Sequence, residues 1–151
     1  MKAIDDLVKE AREKTSDRRY SLPMFGLECS KGWEKLYGPL FQLCKLLNVE
    51  VHQVKEKFGG LRFYVGGVPS EYADMVYAFI SAMEDKSYKV CEECGIRNNT
   101  WRDGDKTYTP VKVTTEGSWL LTLCKQCRKE RDERRQREDK EIRARIDAKK
   151  V

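Results

Sequence analysis

The chain has 151 residues, of which 40% are hydrophobic and 36% are charged, and 30 Lys and Arg stand against 25 Asp and Glu. That length allows one ordinary domain or two small ones. No stretch approaches the roughly 20 apolar residues of a membrane span, and the first residues have no apolar signal-peptide region, so we expect a cytoplasmic protein without a membrane segment.

The positive charge is concentrated in the last part of the chain. Residues 128–151 contain eleven Lys and Arg and seven Asp and Glu, whereas residues 1–127 contain nineteen and eighteen. Most of the net charge of +5 therefore lies in the tail. A uniformly basic surface for nucleic acid is excluded, and any such attraction must come from local patches.

The first predicted elements are two helices separated by a loop. Apolar residues recur every three or four positions over 2–16 and again, in a wider stripe, over 33–47. This spacing is that of amphipathic helices. Residues 20–32 are rich in loop signals and are predicted to be irregular. Gly38-Pro39 inside the second stripe predicts a kink or a new helix start.

A β-hairpin and a third helix follow. Strands are predicted over 49–57 and 61–65, and the adjacent glycines of Phe58-Gly59-Gly60 are expected to supply the positive φ angles of a tight turn. The next apolar stripe is predicted to be helical and to pack on the hairpin as core; it consists of Tyr72, Met75, Val76, Phe79, Ile80 and Met83. We assign residues 1–87 to this first, helical and β-hairpin region.

Two C-x-x-C pairs dominate the second region, residues 88–130. They are Cys91 and Cys94, and Cys124 and Cys127. Two thiolates from each of two tight turns can complete a tetrahedral shell around one structural Zn²⁺. Disulfides are the alternative, which the missing export signal disfavours. Cys29 and Cys44 fall outside the pattern and are expected to be core or semi-exposed residues.

The spacing of the pairs predicts a zinc finger. Turns are expected at Asn98-Asn99 and around Gly104, and strands over 106–114 and 118–123 joined near Glu116-Gly117. Their small core consists of Val111, Val113, Trp119, Leu121 and Leu123. A cysteine knuckle, a hairpin and a second pair that opens a helix are the order of a treble-clef finger. The predicted class is α+β: helices packed on a small β-hairpin sheet, then a treble-clef-like four-cysteine zinc finger and a long charged C-terminal helix.

The tail, residues 131–151, is predicted to continue that helix. Several acidic residues precede a basic residue by four positions, the favourable order for helical ion pairs. One interpretation is a solvated helix; the other is a handle for nucleic acid or an acidic protein surface.

A basic and aromatic cluster surrounds the predicted hairpin turn. Its members, with the upstream Trp33, form the candidate partner-binding surface: Trp33, Lys55, Lys57, Phe58, Arg62 and Tyr64. Such a cluster can hold a phosphate, stack a base or anchor a protein contact. The alternative is a surface hairpin whose Lys and Arg keep an exposed strand edge from aggregating.

These motifs resemble a family of small bacteriophage and prophage proteins that have no assigned activity. The resemblance rests on V-K-E-K-F-G-G-L-R-F-Y at 54–64, on Gly32-Trp33 before it, and on C-x-x-C-G at 91–95 and G-x-W-x-x-T-L-C-x-x-C at 117–127. It implies a phage origin and action in the host cytoplasm, but no reaction.

Two functions of different classes follow. The first is a zinc-binding accessory protein that binds a host protein, as an inhibitor or modulator of a host enzyme or defence system. The alternative is nucleic-acid binding through the 55–64 hairpin, the zinc finger and the basic tail. We predict no enzyme, because His52 has no nucleophile near it in sequence and a closed shell of four cysteines favours a structural metal. The oligomeric state is left open.

Overall fold

The computed structural model describes residues 3–15, 17, 19–95, 101–103, 106–108, 111–114 and 120–149, with the backbone alone for the strands between 101 and 114. Its helices are α1 (Ile4–Lys14), α2 (Ser21–Phe25), α3 (Glu34–Leu46), α4 (Ala73–Ser87) and α5 (Lys125–Ala148). Its strands are β1 (Glu50–Lys57), β2 (Gly60–Gly66), β3 (Trp101–Asp103), β4 (Lys106–Tyr108), β5 (Val111–Thr114) and β6 (Leu120–Leu123). The predicted α+β class is confirmed.

The main core lies between three helices and the β1–β2 hairpin. Helix α1 contributes Leu7 to this core, α3 contributes its apolar stripe and α4 contributes its inner face. The hairpin contributes Val54, Leu61 and Phe63. The Phe41 and Phe63 rings meet edge to face with centroids 5.2 Å apart. Each large apolar side chain buried in this way stabilises the fold by about 1.5–3 kcal/mol.

Helix α3 passes through Pro39 and ends in a backbone motif that aims the chain into β1. Asn48 has a φ of 58°, the left-handed conformation that Asn tolerates after a helix. The Val49 N–H then donates to the carbonyl of Cys44 at 2.8 Å. This bond reverses the chain, so β1 starts at Glu50 against the helix it has just left.

Two predictions for this region are wrong. The segment 20–32 is not wholly irregular, because α2 occupies Ser21–Phe25. The α4 stripe is only partly core: Val76, Ile80 and Met83 are buried, but Tyr72 and Met75 are 42% and 50% exposed. The apolar stripe is wider than the surface that β2 and α3 can cover.

The strands of the second region, residues 88–130, which we call the metal module after its predicted ligands, also differ from the prediction. The expected strand over 106–114 is divided between two antiparallel hairpins, β3–β4 and β5–β6. In the second, Val111 pairs with Leu123 and Thr114 with Leu120. Leu121 and Leu123 are buried as expected. The predicted turns at Asn98-Asn99, Gly104 and Glu116-Gly117, the Trp119 position and the side chains of Val111 and Val113 lie outside the described residues.

The predicted boundary between 87 and 88 runs through packed structure. The indole N–H of Trp33 donates to the carbonyl of Val90 at 2.9 Å. The Gly32 N–H donates to the carbonyl of Glu92 at 2.7 Å. The first cysteine knuckle is therefore bonded to the start of α3.

Helix α5 has no buried residue along its 24 positions. Ion pairs at its start join Arg128 to Asp132 and Lys129 to Glu133, each at 3.9 Å, and Arg131 reaches Glu93 of the first knuckle at 3.8 Å. Across the part of the chain that the structure describes, no helix combines the length and the apolar character needed to cross a membrane.

Candidate functional site

The structure brings the four predicted ligands together. The Sγ atoms of Cys91, Cys94, Cys124 and Cys127 all lie within 4.8 Å of one another. The sulfurs of Cys94 and Cys124 are 3.7 Å apart. Tetrahedral Zn–S bonds of about 2.3 Å place ligand sulfurs about 3.8 Å apart, whereas a disulfide needs about 2.05 Å. The four cysteines are free thiols that can hold one metal ion.

Local backbone geometry sets each pair. Gly95 has a φ of 75°, and its N–H closes the first turn on the carbonyl of Cys91 at 2.8 Å. Cys124 is the N-cap of α5, and its Sγ accepts a hydrogen bond of 3.4 Å from the Cys127 N–H. A helix N-terminus favours the anionic thiolates that metal binding requires.

The thiols differ in how readily they ionise. Burial opposes ionisation of Cys124, but hydrogen bonds from the Cys127 amide and from neighbouring thiols outweigh it and lower the pKa of that thiol. Burial and the neighbouring sulfurs raise the pKa of Cys127. Four thiolates so close together need a cation to offset their repulsion. The donor set therefore fits a divalent, thiolate-binding metal.

Cys29 and Cys44 lie apart from this cluster. Burial raises the pKa of each thiol to about 12. Cys44 is 3% exposed and belongs to the main core, and Cys29 packs against that core. Both behave as the apolar residues that the spacing predicts.

The hairpin turn consists of two residues, Phe58 and Gly59, with φ angles of 56° and 78°. Lys57 and Gly60 form the pair that closes it. The prediction that both glycines supply positive φ is therefore wrong for Gly60, which belongs to β2. A Cβ at Gly60 would lie 2.5 Å from Cζ of the Tyr88 ring, so this glycine makes room for a side chain.

The outer face of the hairpin gathers most of the predicted partner-binding residues. We define the hairpin face as Lys55, Lys57, Phe58, Arg62 and Tyr64. Lys55 pairs with Arg62 across the strands. The Lys57 Nζ lies 5.3 Å from the Phe58 ring centroid, and the Lys55 Nζ lies 5.5 Å from that of Tyr64. The two rings are 62% and 43% exposed.

Arg62 is the least available member of the hairpin face. Its guanidinium donates to the Tyr88 Oη at 2.8 Å and to the carbonyl of Leu61 at 2.7 Å, and it lies 3.9 Å from a Glu84 carboxylate oxygen. These contacts hold its side chain against α4. Arg62 therefore adds positive charge to the hairpin face, but its side chain is not free to rearrange around a partner.

Trp33 does not belong to any partner surface in this structure, which corrects the prediction. Its side chain is 0% exposed, beneath the segment that leads to Cys91. A large aromatic ring gains much free energy from burial, so it packs beneath a neighbouring segment wherever the fold brings one within reach. A Cβ at Gly32 would collide with the backbone of Cys91 and Glu92, so the Gly32-Trp33 pair serves packing.

Both edges of the hairpin are occupied at its centre. On the β1 side, the Glu28 N–H donates to Val54 and the Glu28 carbonyl accepts from Glu56, at 2.9 and 3.0 Å. On the β2 side, the Leu61 N–H donates to the Ser87 Oγ at 2.8 Å and the Phe63 N–H to a Glu84 carboxylate oxygen at 2.9 Å. Protection of an open edge therefore does not account for the lysines.

The turn is anchored to the metal module. The Gly59 N–H donates to the Glu56 Oε1 at 2.7 Å, and the Gly59 carbonyl accepts from the Thr122 Oγ1 at 2.6 Å. Thr122 stands two residues before Cys124 and is 1% exposed. Sequence reasoning missed Thr122, although a polar residue between two leucines of a short strand is a signal for a specific contact.

Glu92, inside the first knuckle, was also missed. Its carboxyl is buried, and Oε2 has no hydrogen-bond partner among the described residues. Burial, with the negative charges of Glu56 and Glu93, raises the pKa of this carboxyl to about 8.

The fold and the site define an α+β protein in which a four-cysteine cluster that can hold a metal ion lies beside, and is hydrogen-bonded to, a β-hairpin. Comparisons with known protein families, with curated proteins and with solved structures found no match to this chain.

Proposed function

We propose that this is a zinc-stabilised binding protein that uses its hairpin face to bind another protein. The observation that carries the proposal is the coincidence of two exposed aromatic rings and adjacent lysines on a hairpin whose edges are already occupied at its centre. Aromatic and basic side chains on a rigid support are typical of the energetically dominant residues of protein interfaces.

Zinc is the metal that we propose for the cysteine cluster. Four thiolates in tetrahedral order suit Zn²⁺, and such closed shells are structural because no position is left for water. The order of knuckle, hairpin and second pair at the start of α5 supports a treble-clef-like module. Metal content measured by mass spectrometry on protein purified without chelator tests this assignment.

The partner that we propose is a host protein. The resemblance of the 54–64, 91–95 and 117–127 motifs to phage proteins supports a phage origin and action in the host cytoplasm, as an inhibitor or modulator of a host enzyme or defence system. The near-neutral charge of residues 1–127 supports a protein over a nucleic-acid partner. The proposal includes no catalysed reaction.

Nucleic-acid binding is the second candidate, because cations beside exposed rings also suit stacked bases and phosphates. Acidic residues interrupt the basic residues throughout α5, and two of the basic residues, Arg128 and Lys129, form ion pairs within the helix. Binding to single-stranded oligonucleotides that weakens steeply with salt would favour this candidate.

Affinity capture from nuclease-treated lysates of candidate bacterial hosts tests the protein-binding proposal. The diagnostic variant is K55E/K57E, and the matched control is K9E/K35E, which changes the net charge equally at exposed positions of α1 and α3. We expect the wild type and the control to retain the same host protein and K55E/K57E to lose it. Equal capture by all three would contradict a role for the hairpin face, and loss of every partner after nuclease would favour nucleic acid.

A further inference from the structure

We propose that Phe58 is the anchor of the hairpin face: it inserts into an apolar pocket rimmed by carboxylates on the protein partner. This inference rests on the proposed protein-binding function and adds the residue and the partner chemistry. Four observations carry it, namely the backbone conformation of Phe58, its exposure, the anchoring of the turn beneath it and the charges around it.

The conformation of Phe58 is unfavourable for its residue type. Both central residues of this turn have positive φ, 56° at Phe58 and 78° at Gly59, as in a type I′ hairpin turn. Asn, Asp and Gly are the residues preferred at the first position, because a bulky side chain is strained at positive φ. For stability of the turn alone, Asn, Asp or Gly would be more favourable than Phe at position 58.

Packing of the Phe58 ring against the described residues does not offset this strain. The side chain is 62% exposed, and the Lys57 Nζ lies 5.3 Å from the ring centroid. Side chains that oppose a local structural preference without improving the core are characteristic of functional sites. An exposed ring at a strained tip is thus better explained by binding than by folding.

The backbone beneath the ring is held in place before binding. Glu56 accepts from the Gly59 N–H, and Thr122 donates to the Gly59 carbonyl. A preorganised anchor loses little conformational entropy when it binds. The turn therefore presents one ring from a convex tip, a shape that suits insertion into a pocket.

The charges around Phe58 indicate the chemistry of that pocket. Lys57 lies beside the ring, and the Lys55–Arg62 pair lies two positions further along the strands. The nearest carboxylate along the chain, Glu56, is bonded to the Gly59 N–H beneath the turn. A pocket with an apolar floor and an Asp- or Glu-rich rim is complementary to this arrangement. Phe58 is the one ring of the hairpin face at its tip, with Tyr64 further along β2, so the tip does not offer the row of stacking surfaces that a nucleic-acid strand uses.

The diagnostic variant is Phe58→Asn, which fits the turn and removes the ring. Phe25→Asn is the matched control, because Phe25 is 72% exposed but lies at the end of α2 rather than in a left-handed turn. We expect F58N to raise the melting temperature of the metal-loaded protein by a few degrees and F25N to leave it unchanged or lower it. A lower melting temperature for F58N would show that the ring stabilises the fold and would overturn the inference.

Binding is measured with a displayed library of small folded domains that carry randomised concave surfaces, selected on the wild-type protein alone and then assayed against F58N and F25N. We expect the enriched domains to combine apolar and acidic residues at the randomised positions and to bind F58N about tenfold or more weaker than wild type, with F25N unaffected. If no enriched domain distinguishes F58N, the inference is wrong. Binding of fluorescent oligo(dT) that F58N abolishes would assign the ring to base stacking instead.

The two proposals fail in different ways. If K55E/K57E loses the captured host protein and F58N retains it, the hairpin face binds a partner but Phe58 is not its anchor. If K55E/K57E retains that protein, the protein-binding function of the hairpin face is itself wrong.

Discussion

The Thr122 hydroxyl donates a 2.6 Å hydrogen bond to the carbonyl of Gly59, and both groups are buried. This bond joins the strand that leads into the second cysteine pair to the tip of the hairpin. The metal module and the hairpin face are therefore parts of one packed arrangement, and changes in one should be measurable in the other.

Replacing Thr122 by Val should destabilise the protein by about 1–3 kcal/mol, because the Gly59 carbonyl would be left buried without its donor. The free energy of unfolding in urea measures the effect. Thr122→Ser is the control that keeps the hydroxyl and loses only a methyl group. Equal stability of T122V and wild type would mean that the bond contributes nothing to the tip.

Metal removal should unfold residues 88–127 and leave much of 1–85 folded, because the core of the metal module is small and the main core is not. Hydrogen exchange before and after chelation measures this separately for each segment. The Cys91→Ser variant should show the same pattern. Unchanged protection of β6 in that variant, or a purified protein with no bound metal, would refute the prediction.

The six cysteines should react with iodoacetamide in two groups. A pKa of about 12 leaves about one Cys29 or Cys44 thiol in ten thousand ionised near pH 8, so both should remain unmodified in the folded protein. Chelation should expose the four clustered cysteines, and denaturation all six. Intact-mass measurement counts the adducts. Rapid labelling of Cys44 in the native protein would contradict its assignment to the core.

Gly60→Ala should destabilise the hairpin by about 1–3 kcal/mol, because the new Cβ would overlap the Tyr88 ring. A double-mutant cycle with Tyr88→Ala tests the cause. If the clash is responsible, G60A should cost less in the Y88A background than in wild type. Strictly additive effects would point to the strand conformation of Gly60 instead.

The sequence predicted the elements whose signals are local. The C-x-x-C spacing forces two thiolates onto one turn, so the ligand set could be named without knowing how the pairs meet. The apolar stripe over 33–47 predicts helix α3, and most of that stripe is buried in the main core. The extent of burial on α4 could not be predicted, because Met75 and Val76 are equally apolar and only neighbouring elements distinguish them.

By itself, the sequence determined the class of fold, the four clustered cysteines and the residues of the hairpin face, because alternation, helical periodicity and ligand spacing are properties of short segments. Tertiary structure alone decided that Trp33 is buried, that Glu84 and Ser87 cover the β2 edge, and that Thr122 holds the turn. These contacts join residues far apart in the chain, and the packing that creates them depends on every element at once.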